Sequence, residues 1–317
     1  MAKILVTGGA GYIGSTAASM LADLEHEVVV FDDLSTGHQK SVDPRATFIQ
    51  GSLLDQDALR QALVGVSAVV HFAGKSLVGE SVQKPDLYHH VNVDGTRNLI
   101  DAMKLYAIDR IVFSSSAATY GSTDISPITE DIEGVPTNPY GQSKLDIDRL
   151  ISASNLSAIS LRYFNVAGAH RSPSGWLAEL HDPETHLIPN VIKSTAEKPL
   201  NIFGTDWDTP DGTCIRDYVH VVDLIDAHIK ALNNLLHGQH QIINLGSGTG
   251  YSVKEVVQSA ERVLGRVVPV IESDRRAGDP ARLVASIERA KKVLGWQPTK
   301  SLDQMISDSA EALGLNN

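Results

Sequence analysis

Tyr140 and Lys144, near the middle of the chain, have the residue types and the spacing of a proton-transfer pair. We expect both on one helix, because Asn138 supplies an N-cap and Pro139 stands near the first helical position. Residues four positions apart share one face of a helix, so the phenol and the ammonium can point into one pocket. Lowering a phenol pKa from ~10 to about 7 takes roughly 4 kcal/mol, and a nearby cation supplies part of it. The pair is either a general base with its activating cation or an ordinary exposed pair of a helix.

A glycine-rich loop near the N-terminus predicts a phosphate site. It follows a buried strand predicted at residues 3–7 and precedes a helical pattern at residues 12–24. The glycines that permit a tight turn and a close backbone approach are Gly8, Gly11 and Gly14. A second strand, predicted at residues 27–31, ends at Asp32, where an acid that binds an adenosine ribose is expected. This order predicts dinucleotide binding, and NAD over NADP, because the acid would repel a 2′-phosphate. An oxidised nicotinamide ring would add positive charge near Tyr140.

Strands and helices continue to alternate after this loop. Further strands are predicted at residues 47–50, 67–72, 110–113 and 157–164, and helices at residues 56–64 and 85–106. Such alternation predicts an α/β fold, a Rossmann-type doubly wound parallel sheet with helices on both faces. Ligands gather at the carboxyl ends of such strands, and Ser114, Ser115 and Ser116 follow one of these ends. The serines either serve chemistry there or only satisfy backbone groups in a turn.

Composition narrows the class of protein. The chain has 317 residues, a net charge of −11 and one cysteine, Cys214. Acidic charge argues against non-specific nucleic-acid binding, because phosphates would be repelled. The single cysteine excludes an intramolecular disulfide and fits a reducing compartment. No apolar run approaches the ~18 residues of a membrane span. We expect a cytoplasmic protein with no membrane or nucleic-acid partner.

Longer sequence strings resemble the UDP-glucose 4-epimerase family of the extended short-chain dehydrogenase/reductase superfamily. The resemblance covers nearly the whole chain, and its strings are far more specific than the glycines. They are FDDLSTGH at residues 31–38, HFAG at 71–74, VGES at 78–81, SSSAATYG at 114–121, NPYGQSK at 138–144, RYFN at 162–165 and DGTCIRDYVH at 211–220.

The resemblance implies roles for three sets of residues. Tyr140, Lys144 and Ser116 would be catalytic. The residues that would bind NAD are Gly8, Gly11, Tyr12, Ile13, Gly14, Asp32, Asp33, Leu34, Ser35, Thr36, Gly37, Ser52, Leu53, Phe72, Ala73, Gly74, Lys75, Ser76, Asn92, Ser114, Ser116, Tyr140, Lys144, Tyr163 and Phe164. The residues that would contact a UDP-sugar are Ser116, Tyr140, Asn165, His186, Leu187, Asn201, Ile202, Phe203, Arg216, Tyr218, Arg276, Asp279 and Leu283.

The resemblance also implies two domains and a homodimer. We expect an NAD-binding domain at residues 1–168, with a returning segment at about 215–246, and a smaller α/β UDP-sugar-binding domain at residues 169–317. Residues 170–189 are long for an ordinary connection and predict a binding loop. His181 and His186 lie in it, but their spacing is not that of metal ligands, and we expect no metal.

The implied reaction inverts C4 of a UDP-hexose. The Tyr140 phenolate would remove the proton of the 4-hydroxyl while C4 gives hydride to NAD, and hydride would return to the other face of a 4-keto sugar. Ser116 would relay the proton. Alternatives are UDP-N-acetylglucosamine 4-epimerisation, 4,6-dehydration and a non-catalytic NAD-sensing protein. Dehydratases need a carboxylate where this chain has Ala117 and Ala118, and Leu283 in place of a bulky aromatic residue predicts partial tolerance of an N-acetyl group.

Overall fold

The computed structural model describes residues 1–181, 183–276 and 279–315. The strands, in chain order, are β1 (Lys3–Thr7), β2 (Glu27–Asp32), β3 (Thr47–Gln50), β4 (Ala68–His71), β5 (Arg110–Ser116), β6 (Ser157–Tyr163), β7 (Asn165–Ala167), β8 (His170–Ser172), β9 (Gly175–Leu177), β10 (Leu200–Phe203), β11 (Ile215–Arg216), β12 (Tyr218–His220), β13 (His240–Leu245), β14 (Tyr251–Ser252), β15 (Val270–Ser273) and β16 (Arg282–Leu283).

The helices separate most of these strands. In chain order they are α1 (Tyr12–Asp23), α2 (Gln56–Ala62), α3 (Val78–Gln83), α4 (Pro85–Tyr88), α5 (Gly95–Leu105), α6 (Pro139–Ser152), α7 (Leu187–Ile192), α8 (Val221–Asn233), α9 (Val253–Leu264), α10 (Glu288–Leu294) and α11 (Leu302–Ala312). Within the described ranges, none of them is both long and apolar enough to span a bilayer.

Seven strands form one parallel sheet in the order β13-β6-β5-β4-β1-β2-β3. These strands are runs of apolar, largely β-branched residues, as expected for strands that helices cover on both faces. The order reverses at β1, where Thr7 pairs with Phe31 of β2 on one side and with His71 of β4 on the other. A crevice opens beyond the carboxyl ends of the strands at this point. The predicted Rossmann-type fold is therefore confirmed.

Helices pack on both faces of this sheet. One face is covered by α1, α8 and α10, whose apolar residues meet those of the strands and include Leu21, Leu224 and Leu294, and by Trp296, which follows α10. The other face is covered by α2, α5 and α6, with Leu59, Met103 and Ile147 among the buried residues. The sheet is thus held from both sides, and the strand ends that it presents are fixed in place.

A separate, smaller core lies in the second half of the chain. It joins α7, α9, α11 and β10 through buried apolar residues that include Ile188, Val256 and Ile306. β13 and α8 return to the main sheet and its core. The domain boundary at residue 168 stays a prediction, and Trp296, far beyond it, packs against the main-sheet core and donates to the Asp223 carbonyl at 2.9 Å.

Two predicted elements differ in detail from the structure. The continuous helix expected at residues 85–106 is divided into α4, a π-helical segment (His89–Asp94) and α5. The wider turn changes the direction of Asn92, and π-segments of this kind are frequent at functional sites. The expected irregular loop at residues 170–189 contains the β8–β9 hairpin, which pairs His170 with Leu177.

Candidate active site

Helix α6 holds the proton-transfer pair as predicted. Asn138 is its N-cap, and its Oδ1 accepts the Gly141 N–H at 2.9 Å. The Ser143 hydroxyl donates to the Tyr140 carbonyl at 2.8 Å, which fixes the first turn. Lys144 follows one turn later, and its Nζ lies 5.9 Å from the centre of the Tyr140 ring.

Tyr140 lies near Ser116, which ends β5. Burial raises the pKa of Tyr140 above its ordinary value, and the nearby Ser116 hydroxyl opposes that rise. Burial therefore outweighs what the chain's own groups do to ionise the phenol. A phenolate here needs a further positive charge beside the ring, such as the oxidised nicotinamide that the sequence predicted.

The Lys144 ammonium is buried behind Tyr140. Its Nζ donates to the Ser114 carbonyl at 2.8 Å and lies 4.8 Å from the centre of the Phe113 ring. Burial lowers the pKa of Lys144 to about 8, against the opposing charge of Asp148. The lysine is therefore a cation at neutral pH and loses its charge in mildly alkaline solution.

A buried ion pair lies one helical turn further from the phenol. Asp148 Oδ2 accepts from Arg162 Nε at 3.0 Å and Nη2 at 2.8 Å, and also from the Ser115 hydroxyl at 3.2 Å. The two charged side chains are only 2% and 4% exposed. The Arg162 guanidinium stacks over the Tyr120 ring at 4.8 Å. This pair ties α6 to β5 and β6, the elements that carry Lys144 and Ser116.

The glycine loop is shaped for a ligand. Gly8 has φ of +70°, and a Cβ there would lie 2.6 Å from the Ala73 nitrogen. A Cβ on Gly14 would lie 2.1 Å from the Gly8 carbonyl oxygen. Among the described residues, no side chain caps the first turn of α1, which begins after Gly11. Its N–H groups are therefore available to a phosphate.

Asp32 anchors the other end of this loop. Its Oδ2 accepts the Ala10 N–H at 3.0 Å, and its Oδ1 accepts the Leu34 N–H at 2.8 Å. Burial raises the pKa of Asp32, and these two N–H groups oppose the rise. Each carboxylate oxygen keeps a second lone pair, so the acid can still accept a ribose hydroxyl.

Asn92 connects the loop after β4 to helix α6. Its Oδ1 accepts the Lys75 N–H at 2.7 Å, and its Nδ2 donates to the Lys75 carbonyl and to the Ser143 hydroxyl, each at 3.0 Å. This clamp is built by the π-helical segment. The Lys75 ammonium lies 4.0 Å from Glu80.

The first cleft lies over the carboxyl ends of β1, β2 and β4. The predicted cofactor residues that line it are Gly8, Gly11, Tyr12, Ile13, Gly14, Asp32, Asp33, Ser35, Thr36, Ser52, Leu53, Phe72, Ala73, Gly74, Lys75, Ser76, Tyr140, Lys144 and Tyr163. Six others lie behind or beside this wall: Leu34, Gly37, Asn92, Ser114, Ser116 and Phe164. Glu80, Tyr88, Glu179 and His181 also line the cleft, and sequence spacing gave no signal for them.

The second cleft, of about 790 Å³, lies between the main sheet and the smaller core, and its volume suits a small ligand. The predicted substrate residues on its wall are Asn165, His186, Leu187, Asn201, Phe203, Arg216, Tyr218, Arg276 and Asp279. The Arg276 guanidinium lies 3.8 Å from the centre of the Phe203 ring. Arg216 Nη1 donates to the Pro280 carbonyl at 2.9 Å, and its Nη2 lies 3.6 Å from Asp279.

Four predicted substrate residues do not line the second cleft. Ile202 is buried in the smaller core. Leu283 packs against a small apolar cluster of Ala117, Tyr120 and Ile128. Tyr140 lines the first cleft instead, and Ser116 is among the wall residues of neither cleft. The predicted contact of Leu283 with a sugar 2-substituent stays a prediction.

Two histidines and two glutamates meet at the wall between the clefts. His186 Nδ1 lies 2.8 Å from Glu184 Oε1 and 3.9 Å from Glu179 Oε2, and His181 is hydrogen-bonded to Glu179. The bond with Glu179 raises the pKa of His181. We call Glu179, His181, Glu184 and His186 the loop cluster. Their sequence spacing did not indicate this proximity.

Comparisons with known proteins agree with this geometry. Residues 4–246 match the sequence model of the NAD dependent epimerase/dehydratase family. The chain is 50% identical over 305 residues to the UDP-glucose 4-epimerase of Corynebacterium glutamicum, covering 93% of this chain and 91% of that protein.

Solved structures of relatives superpose over almost the whole chain. The UDP-glucose 4-epimerase of Brucella ovis in complex with NAD is 44% identical, with a TM-score of 0.94 and coverage of 99% of each chain. The UDP-glucose 4-epimerase of Bifidobacterium longum in complex with NAD+ and UDP is 32% identical, with a TM-score of 0.89 and coverage of 99% of this chain and 98% of that one.

Proposed function

This chain belongs to the NAD dependent epimerase/dehydratase family, and on that premise we propose that Tyr140 is the base in an epimerisation at C4 of a UDP-hexose. The enzyme is an isomerase that interconverts UDP-glucose and UDP-galactose with NAD as its cofactor. The relatives support this activity, and the position of Tyr140 in the first cleft, with Lys144 beside it and Ser116 nearby, supports the assignment of the base.

The first cleft fits NAD. The tight turn that Gly8 and Gly14 permit and the uncapped start of α1 suit a diphosphate, and Asp32 suits a ribose without a 2′-phosphate. Bound there, NAD would supply a reversible hydride acceptor for C4. Lys144, Tyr163 and the backbone that Asn92 holds at Lys75 line the end of the cleft nearest Tyr140.

The site residues have different roles in catalysis and in substrate binding. Tyr140 removes the proton of the 4-hydroxyl and gives it back, and Ser116 binds the same oxygen and stabilises the phenolate. Lys144 adds positive charge behind the ring while held by the Ser114 carbonyl. In the second cleft, Arg216 and Arg276 bind the diphosphate through charge-assisted hydrogen bonds, so that a flat 4-keto sugar can turn while its nucleotide stays bound.

The single observation that carries the proposal is that Tyr140 lines the first cleft with the Lys144 ammonium 5.9 Å from its ring centre, and one assay tests it. Purified protein is incubated with UDP-galactose and no added NAD, and we expect UDP-glucose as the product, identified by chromatography. Tyr140→Phe should lower kcat by about 10²- to 10⁴-fold while bound NAD is retained, because the general base is lost.

The exposed Tyr106, at the end of α5 and outside the walls of both clefts, offers the matched control, because Tyr106→Phe also removes one phenolic hydroxyl. It should turn over at the parent rate. Near-normal turnover by Tyr140→Phe would end the assignment of the base, and a dehydrated 4-keto-6-deoxy product would replace epimerisation by 4,6-dehydration.

The same proposal includes the oligomeric state of the enzyme and its cellular compartment. We place it in the cytoplasm as a homodimer with no nucleic-acid partner, in keeping with its acidic charge of −11 and its single cysteine. We also expect slow turnover of UDP-N-acetylglucosamine, because leucine stands at position 283. A coupled assay that detects no N-acetylgalactosamine product contradicts that expectation.

A further inference from the structure

The loop cluster brings metal-ligand atoms together at the wall between the two clefts. One ligand atom each from Glu179, His181 and His186 lies within 4.8 Å of the other two. The two imidazole rings are 5.9 Å apart, centre to centre. A tetrahedral zinc site with bonds of ~2.1 Å holds its ligand atoms about 3.4 Å apart, so changes of side-chain rotamer alone could close the cluster around an ion.

The carboxylates of the cluster are poorly hydrated for their charge. The side chains of Glu179 and Glu184 are 15% and 8% exposed. Glu184 Oε2 is buried and has no hydrogen-bond partner among the described residues. A buried carboxylate oxygen without a partner costs free energy that a bound cation would remove. The unsatisfied oxygen is thus an observation independent of the spacing of the other three ligands.

We propose that Glu179, His181 and His186, with Glu184 as a fourth ligand, bind a transition-metal dication of the Zn²⁺ class, and that this ion competes with the UDP-sugar. Two imidazoles and carboxylate oxygens are a ligand set that suits zinc. The competition rests on the proposed function, because His186 lines the second cleft and is assigned to substrate there. An imidazole nitrogen that binds zinc cannot also bind a diphosphate oxygen.

Direct metal binding tests the site without any turnover. Holoenzyme freed of metal with a chelator is mixed with Zn²⁺, passed through a desalting column and measured for zinc by mass spectrometry. We expect one zinc per chain, and at least tenfold weaker binding in His181→Ala, because one imidazole ligand is lost. Glu179→Gln, of almost the same shape, should weaken binding as well, and it serves if His181→Ala folds poorly.

His237 supplies the matched control. It is an exposed histidine whose Nδ1 lies 3.3 Å from Asp109, so it has one carboxylate neighbour but lies outside the loop cluster. His237→Ala should bind zinc as the parent does. Absence of bound zinc in the parent, or equal binding by the parent and both cluster variants, overturns the proposal.

Inhibition kinetics test the competition. Zn²⁺ should raise the KM for UDP-galactose and leave kcat unchanged, and a chelator should reverse the effect. The inhibition constant should rise at least tenfold in His181→Ala and stay unchanged in His237→Ala. A fall in kcat at unchanged KM overturns the competition. Zinc binding without any epimerase activity would instead contradict the proposed function and leave the metal site standing.

Discussion

The two clefts of this enzyme are walled in different ways. The first is formed by backbone at the ends of parallel strands, drawn together by short hydrogen bonds such as those of Asp32 and Asn92. The second is lined by long side chains, such as those of Arg216 and Arg276. A backbone wall cannot yield without moving the sheet, whereas side chains can change rotamer. The difference suits a cofactor that stays bound and a sugar that must turn over.

Gly14→Ala should have the largest effect of these variants, because it should distort the first cleft and weaken NAD binding. The added Cβ would stand 2.1 Å from the Gly8 carbonyl oxygen, so the turn must open and the start of α1 must move away from the diphosphate. We expect at least a 100-fold loss of NAD affinity, measured by the absorbance and mass of cofactor that remains bound after purification.

Gly79→Ala is the control for that variant. Gly79 lies in α3, and a Cβ there would meet nothing within 4 Å. It should keep its NAD and gain slightly in helix propensity. Full NAD occupancy in Gly14→Ala would show that the backbone wall adapts, which contradicts the contrast between the clefts.

Asp148→Asn should destabilise the packing of α6, the helix that carries Tyr140 and Lys144. Loss of one partner leaves Arg162 buried without its counter-ion, and we expect about 3–5 kcal/mol less free energy of unfolding. Asp148 also raises the pKa of Lys144 against burial, so its removal lowers that pKa further.

The pH dependence of turnover shows how Asp148→Asn affects activity through the pKa of Lys144. In the parent, turnover should fall as the pH rises through about 8, because Lys144 loses its charge there. In Asp148→Asn this alkaline limb should move to lower pH. Asp146→Asn removes a more exposed carboxylate of the same helix and should leave the limb in place. An unmoved limb in Asp148→Asn would show that Lys144 does not set it.

The contrast between the clefts also explains what the sequence could predict. Strand β1 and the Asn138 cap of α6 were predicted at their observed residues, because strand periodicity and capping depend on close neighbours in sequence. The loop cluster was not predicted, because Glu179 and His186 meet only when the long loop folds against the rest of the protein. The π-segment was missed as well, since an apolar pattern hardly distinguishes it from an α-helix.

Arg216→Lys should weaken substrate binding in the second cleft. A lysine keeps the charge but loses the planar fork that donates to the carbonyls of Ile215 and Pro280 and can grip a diphosphate. We expect the KM for UDP-galactose to rise about tenfold, or roughly 1.4 kcal/mol, with little change in kcat. Arg282→Lys, at an exposed neighbour, should change neither value. A fall in kcat alone would place Arg216 in the chemical step.

Ser252→Ala should have a smaller effect, which lowers the stability of the smaller core without changing the reaction. Ser252 caps α9, and its hydroxyl accepts the Glu255 N–H at 3.0 Å while the Glu255 carboxylate accepts the Ser252 N–H at 2.7 Å. Losing such a cap costs about 0.5–2 kcal/mol. A thermal melt measures the loss, and kcat should stay at the parent value.

Ser301→Ala, which removes another helix cap in the smaller core, is the comparison variant for Ser252→Ala. Ser301 caps α11 in the same core by accepting the Gln304 N–H at 3.2 Å, whereas the Ser252 hydroxyl also donates to Asp211. The loss at Ser252 should therefore exceed the loss at Ser301. Since α9 and α11 pack together, a change in kcat from either cap would mean that the smaller core does not merely carry the second cleft but also sets the position of the catalytic helix. Parent kcat values in both variants would show that the two clefts are mechanically separate, because the position of α6, which carries Tyr140, would then not depend on the stability of the smaller core.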